Sequence, residues 1–194
     1  MFADIVTPRL RLRRLRPSDA PALRAYRSDP EVARYQVWSA ATEDEVADFA
    51  AEQARIAPDI PGTWFQLAVS LSEADGAGHE AGALAGDCGL RFPPGEPWQA
   101  EVGITLAGWA QGLGYAQEAL QGAFGYLFDD LGKHRVFASV DPRNAASIAL
   151  LERLGMRREA HFRESLRDKG EWCDDFVFAL LEDEWRARRR EAAQ

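Results

Sequence analysis

The residues best placed to do chemistry are Gln111-Gly112-Leu113-Gly114-Tyr115-Ala116. This hexapeptide follows a strand-like stretch directly and opens an amphipathic helical stretch. Such a junction presents backbone N–H groups without intrahelical partners, at the positive end of the helix dipole. Glycine lets a phosphate approach the backbone without meeting a Cβ. The chemistry implied is a diphosphate cradle. A P-loop would carry Gly-Lys-Ser/Thr, and no lysine lies in this segment. A dinucleotide fingerprint would continue the Gly112, Gly114 spacing with Gly or Ala at position 117, where Gln117 stands. It would also need a second strand ending in an acid about 20 residues on, and the chain around Asp129 and Asp130 still reads as helix. Taken alone, the segment also suits a tight turn that holds no ligand.

Gln111, Gly114 and Ala116 satisfy a third pattern, Gln/Arg-x-x-Gly-x-Gly/Ala. Further along, Asn144-Ala-Ala-Ser147-Ile-Ala-Leu-Leu-Glu-Arg-Leu-Gly155-Met156 places an Asn at the opening of the next helix. Gly170-Glu-Trp172-Cys-Asp174 leads into a closing strand that runs to Leu181 and Trp185. Thr7-Pro-Arg9-Leu10 and Gly86-Asp-Cys-Gly89-Leu complete the set. In this order and spacing, across nearly the whole chain, the segments resemble the GNAT acyltransferases. They are most similar to the RimJ/RimL-like branch, which includes ribosomal-protein N-terminal acetyltransferases. The resemblance implies acetyl-CoA as cosubstrate, no metal, and a primary amine as acceptor: a protein N-terminus or a small molecule. It also implies a cytoplasmic homodimer, for which the aromatic-rich stretch Phe176 to Trp185 could supply a self-complementary face. Two other readings stand beside it: a non-catalytic acyl-CoA-binding module, and an acyltransferase using a bulkier group such as succinyl.

Transfer of an acyl group from a thioester to an amine has four needs. The cosubstrate must be held, the amine must lose a proton, the developing oxyanion needs donors, and the leaving thiolate needs a proton. The resemblance assigns the cofactor side to Gln111, Gly112, Leu113, Gly114, Tyr115 and Ala116, with Asn144 and Ser147 on the next helix. It puts the backbone of Val102, Gly103 and Ile104 beside the reacting carbonyl. Glu101 is the candidate base, directly or through water, with Asp87 as runner-up. An α-amine, with a pKa of about 7.7–8.0, needs less help than a lysine amine at about 10.4. Ser147 is the candidate acid, because the Tyr that many relatives carry on this helix is replaced by Leu151. The glutamate of RimL-like enzymes on the following strand is replaced by Leu166. Trp38, Phe65, Asp87 and Trp98 are expected on the acceptor side. His79, His134 and His161 have no metal spacing.

These residues must be positioned by a mixed α+β sheet. Strands are expected over 9–15 at the sheet edge, 63–71, 82–92, 99–106, 135–140, 157–167 and 173–181. Helices are expected over 19–27, from the Thr42/Glu45 capping box to about Arg55, over 111–131, and from Asn144 to Gly155. The short loops in the middle favour antiparallel pairing, and the strand–helix–strand unit over 99–140 favours a parallel crossover. Helices on both faces of the sheet complete an α+β GNAT fold, with one domain over 1–185 and an exposed charged tail over 186–194. A net charge of −8 argues against a sequence-independent nucleic-acid binder. No apolar run approaches the ~20 residues of a membrane span, and the start of the chain lacks a signal-peptide core. Cys88 and Cys173, without CxxC spacing, read as small buried hydrophobes.

Overall fold

The computed structural model describes residues 2–36, 38 and 42–192. Strands β1 (Ile5–Val6) and β2 (Leu10–Arg14) open the chain. A 3-10 turn over Pro17–Asp19 leads into α1 (Ala20–Arg27). The carboxylate of Asp19 sets that turn. It accepts from the buried Arg13 guanidinium at 2.7 and 2.8 Å and from the Arg16 N–H at 2.8 Å. A single turn, α2 (Pro30–Ala33), precedes α3 (Glu43–Gln53), whose N-terminus is the expected capping box. The hairpin strands β3 (Trp64–Leu71) and β4 (Leu84–Arg91) and then β5 (Gln99–Leu106) follow. Helix α4 (Tyr115–Gly125), β6 (Arg135–Val140) and α5 (Ala145–Arg153) come next. The hairpin β7 (Arg157–Asp168) and β8 (Glu171–Leu181) and the final helix α6 (Glu182–Ala192) close the fold.

The strands form one eight-stranded sheet in the order β1-β2-β3-β4-β5-β6-β8-β7. Among the described residues only β5 and β6 pair in parallel; every other neighbour is antiparallel. The expected mixed sheet and its crossover are therefore present. Phe65, Leu67 and Val69 of β3 pack with Leu120, Phe124, Leu127 and Phe128 on the face that carries α4. On the opposite face α1 and α3 bury Leu23, Tyr26, Val46 and Ala50 against Ala68 and Leu84.

Three elements depart from expectation. Strand 10–14 is not the edge, because β1 pairs outside it. The long helix begins at Tyr115 and not at Gln111, because Gly112 and Gly114 take left-handed φ values of 74° and 82°. Leu113, the first residue of its expected apolar stripe, is exposed. The helix then widens into a π turn over Tyr126–Asp130, which buries Leu127 and Phe128 side by side. Cys88 is buried, and burial pushes its thiol up to about 12; Cys173 is only half-buried.

Candidate active site

The parallel pairing of β5 and β6 covers only Gln99–Glu101 against Arg135–Phe137. Beyond it both strands continue unpaired with each other, β5 to Leu106 and β6 to Val140. The parted edges open a cleft. Its outer part, of about 760 Å3, is walled by Ile104, Thr105 and Leu106, the loop at Gln111, Gly112 and Gly114, the first turn of α4, and Asn144, Ser147 and Arg153 of α5. Its inner part, of about 170 Å3, reaches between Val102–Ile104 and Ala138–Val140 to the β7–β8 hairpin.

The floor of the outer part is a donor-rich backbone. The first hydrogen bond of α4 runs from the Glu118 N–H to the Gly114 carbonyl at 3.1 Å. Among the described residues, no acceptor partners the N–H groups of Gly112 to Gln117. A Cβ added at Gly112 would meet no atom within 4 Å, so the backbone there faces open space. Gln111 braces the loop by donating from Nε2 to the Leu106 carbonyl at 3.1 Å. Arg9 braces the other side. Its guanidinium donates to the Leu113 carbonyl at 3.0 Å and to Glu118 at 2.7 Å, and lies over the Tyr115 ring. Free N–H groups, left-handed glycines and the Arg153 cation in the wall suit a diphosphate. The described residues thus fit coenzyme A at this end.

Helix α5 contributes the middle of the cleft. The Asn144 Oδ1 caps it by accepting from the Ser147 N–H at 3.1 Å. Ser147 lines both parts of the cleft, and its hydroxyl makes no hydrogen bond among the described residues. Leu151 and Leu166, the two positions where the resemblance leads one to expect polar groups, also line the inner part. Tyr35 and Gln36, just after α2, line both parts. No periodicity marked them in the sequence. Arg9 was legible only as part of the Thr7-Pro-Arg9-Leu10 segment.

The far end is acidic: Asp141, Asp168, Asp174 and Asp175 all line it. Hydrogen bonds from Arg143 hold Asp141 below the usual carboxylate range. The Glu164 N–H and His161 hold Asp174 down in the same way. Asp175 is shifted the other way, because burial pushes it up.

The proposed acceptor and base residues separate. Glu101 precedes the cleft-lining segment by one residue, outside the lining, and its carboxylate is paired with Arg91 at 2.8 Å. Trp38 is half-buried under Arg27, whose guanidinium carbon is 5.2 Å from the ring centre. Three residues expected on the acceptor side are elsewhere. Phe65 is fully buried on the α4 face, against Phe2, because it alternates with Gln66 along β3. Trp98 lies before β5, at the end opposite the cleft, and is 66% exposed. Asp87 is buried, with one oxygen accepting from the Tyr26 hydroxyl at 2.5 Å and the other from Arg27 at 2.8 Å. Both oxygens are thus engaged in anchoring α1 to β4.

Comparison with known proteins agrees with this geometry. The family model described as the acetyltransferase (GNAT) domain matches residues 9–157. The uncharacterized N-acetyltransferase p20 of Bacillus licheniformis is 31% identical over 183 residues, 93% of this chain and 97% of that protein. The [ribosomal protein uS5]-alanine N-acetyltransferase of Escherichia coli is 33% identical over 84 residues, 43% of each chain. The structure of a GNAT-family acetyltransferase from Bacillus anthracis superposes with a TM-score of 0.81 at 28% identity, covering 94% of this chain and all of that one. The spermidine N-acetyltransferase of Vibrio cholerae, solved with CoA and spermine, shares the fold with a TM-score of 0.75 at 21% identity, over 91% of this chain and 98% of that one. With the parted strands, the glycine cradle and the capped helix beside it, these matches establish that the chain belongs to the GNAT family and is an N-acetyltransferase.

Proposed function

We propose that this enzyme transfers the acetyl group of acetyl-CoA directly to a primary amine, either a peptide α-amine or a small cationic amine, and that it belongs to the RimJ/RimL-like branch. The observation that carries this reading is the continuity of the cleft. One channel runs from the N–H cradle, past the free edge of β5, to an acidic end. The partial match to the ribosomal-protein alanine acetyltransferase supports the branch.

The roles follow from position. The N–H groups over Gly112–Gln117 hold the diphosphate, with Gln111 and Arg9 bracing the loop. Leu113, Tyr115 and Ala116 carry that backbone into α4. The exposed edge at Val102, Gly103 and Ile104 offers backbone donors to the acyl oxygen. Asn144 orders the first turn of α5, and Ser147 supplies a hydroxyl to the leaving sulfur. Glu101, the base expected from the sequence, is paired with Arg91 outside the cleft lining, and no step of the transfer is assigned to it. Trp38 and the carboxylates at the far end receive the amine. Transfer forms the C–N bond and breaks the C–S bond. The amine proton passes to a carboxylate, and a proton reaches the sulfur. Holding amine and thioester together is worth orders of magnitude by itself.

The test is incubation with acetyl-CoA and either spermine or a peptide beginning with alanine. Thiol release and a mass gain of one acetyl group on one of the two amines are expected. Absence of both, with CoA still bound, would refute the proposed acceptor class.

A further inference from the structure

An amine arriving at the acidic end must lose a proton, and the carboxylates there differ in what already holds them. Asp141 is paired with Arg143 at 2.6 Å. Asp174 is paired with His161 at 2.6 Å and also accepts from the Glu164 N–H at 2.9 Å. Asp168 lies 3.9 Å from the Lys169 ammonium. Glu101 and Asp87, outside the lining, are bound to Arg91 and to Tyr26 and Arg27. Asp175 differs from all of them. It is 8% exposed, it lines the cleft together with Gly103 and Ser147, and it makes no ion pair among the described residues. Its one side-chain hydrogen bond comes from the Ser139 hydroxyl, donated to Oδ1 at 2.5 Å across the β6–β8 pair.

We propose that Asp175 is the catalytic base, and that Ser139 is the positioning residue that holds its carboxylate toward the amine. This rests on the acetyl transfer proposed above. The proton moves from the amine nitrogen to Asp175 as that nitrogen bonds the acetyl carbon, and the sulfur leaves with its electron pair. A buried carboxylate without a cation is a stronger base than a paired one, and a base is most effective when its pKa approaches the working pH. Burial raises Asp175, and the neighbouring Asp141 adds to the rise. The Ser139 hydroxyl and the Val140 N–H oppose it. The other charged or titratable groups around it are Asp168, Asp174 with His161, Cys173, Arg143 and Tyr35.

The experiment is the pH profile of kcat/KM for spermine and for the alanine-led peptide, at saturating acetyl-CoA. The wild-type profile should be flat between the pKa of Asp175 and that of the amine. Asp175→Asn should lose about 10²-fold or more at pH 7 and regain about tenfold per pH unit until the amine is neutral. Its affinity for acetyl-CoA by calorimetry should stay within about twofold. Ser139→Ala should move the acidic limb to higher pH, since the lost hydroxyl favours the charged carboxylate; this arm stands even if Asp175→Asn folds poorly. Glu101→Gln should keep the flat profile. A flat Asp175→Asn profile within about threefold of wild type, an unmoved limb in Ser139→Ala, or a sloped profile in Glu101→Gln instead would each overturn the assignment. No turnover of either amine by the wild type would overturn the acceptor reading itself, and Asp175 with it.

Discussion

Gly114 has a φ of 82°, and the Arg9 guanidinium lies 3.4 Å from where a Cβ would stand. Gly114→Glu therefore combines a strained backbone with a carboxylate in the site proposed for the diphosphate. Loss of measurable CoA binding by calorimetry is expected, with the far-ultraviolet dichroism retained; unchanged affinity in the folded variant would remove the cradle. Ser147 tests the other end of the transfer. A hydroxyl that serves only the departing sulfur matters in the transition state alone. Ser147→Ala should lower kcat by about tenfold to 10², with acetyl-CoA affinity within about twofold. Water can replace the hydroxyl, which sets the lower end. Residue types were readable at this scale, but side-chain partners were not. Nothing in the spacing of Asp87 and Asp175 showed that one binds Tyr26 and Arg27 while the other has no cation beside it among the described residues.

At the scale of elements, the turn between β1 and β2 is clasped to α4 where the cradle begins. The Glu118 carboxylate accepts from the Thr7 hydroxyl at 2.6 Å, the Arg9 N–H at 2.7 Å and the Arg9 guanidinium at 2.7 Å. Partial burial pushes Glu118 up, but these donors together leave it below its ordinary value. A carboxylate lowered in the folded state stabilises above its unfolded pKa, and that contribution disappears as pH falls through the folded value. Glu118→Gln should cost about 1–2 kcal/mol at pH 7. The difference from wild type should shrink as pH falls through the lowered folded value of Glu118, in urea titrations run from neutral to acid pH. A constant difference would assign the effect to packing. The start of α4 also shows why a hydrophobic stripe misplaces a helix end. Leu113 has the right spacing, but the left-handed glycines on either side keep it out of the helix.

At the scale of the whole molecule, α6 is more than a charged tail by composition. Trp185 stacks on Phe128 with centroids 6.0 Å apart and meets Phe124 edge-on at 5.8 Å, and Arg189 pairs with Asp129 at 2.5 Å. Trp185→Ala should lower stability by about 3 kcal/mol, read from the urea midpoint. We keep the proposal of one domain over 1–185, with the charged residues 186–194 beyond it. The same tryptophan bears on assembly. Trp185 packs within the protomer and Phe178 is buried, so a dimer face on the last hairpin would use the exposed Phe162, Leu166 and Trp172 instead. A dimeric mass by light scattering at micromolar protein is expected, and Trp172→Glu should shift it toward monomer; a monomeric wild type would end the proposal.

Local rules carried the sequence far. Alternation, the Thr42/Glu45 capping box, the Asn144 cap and the Gly112/Gly114 spacing identified most of the strands and helices and the mixed sheet, and singled out the loop proposed as the cradle. Each of these depends on neighbours a few residues apart. What only the tertiary structure decided depends on residues far apart in the chain. The parting of β5 from β6 after Glu101 and Phe137 opens the cleft. Arg9 reaches across 104 residues to brace Leu113. Pairing of β6 with β8 brings Ser139 to Asp175 over 36 residues. Burial and long-range partners determine which carboxylates are neutralised and which remain basic, and neither is written in local spacing.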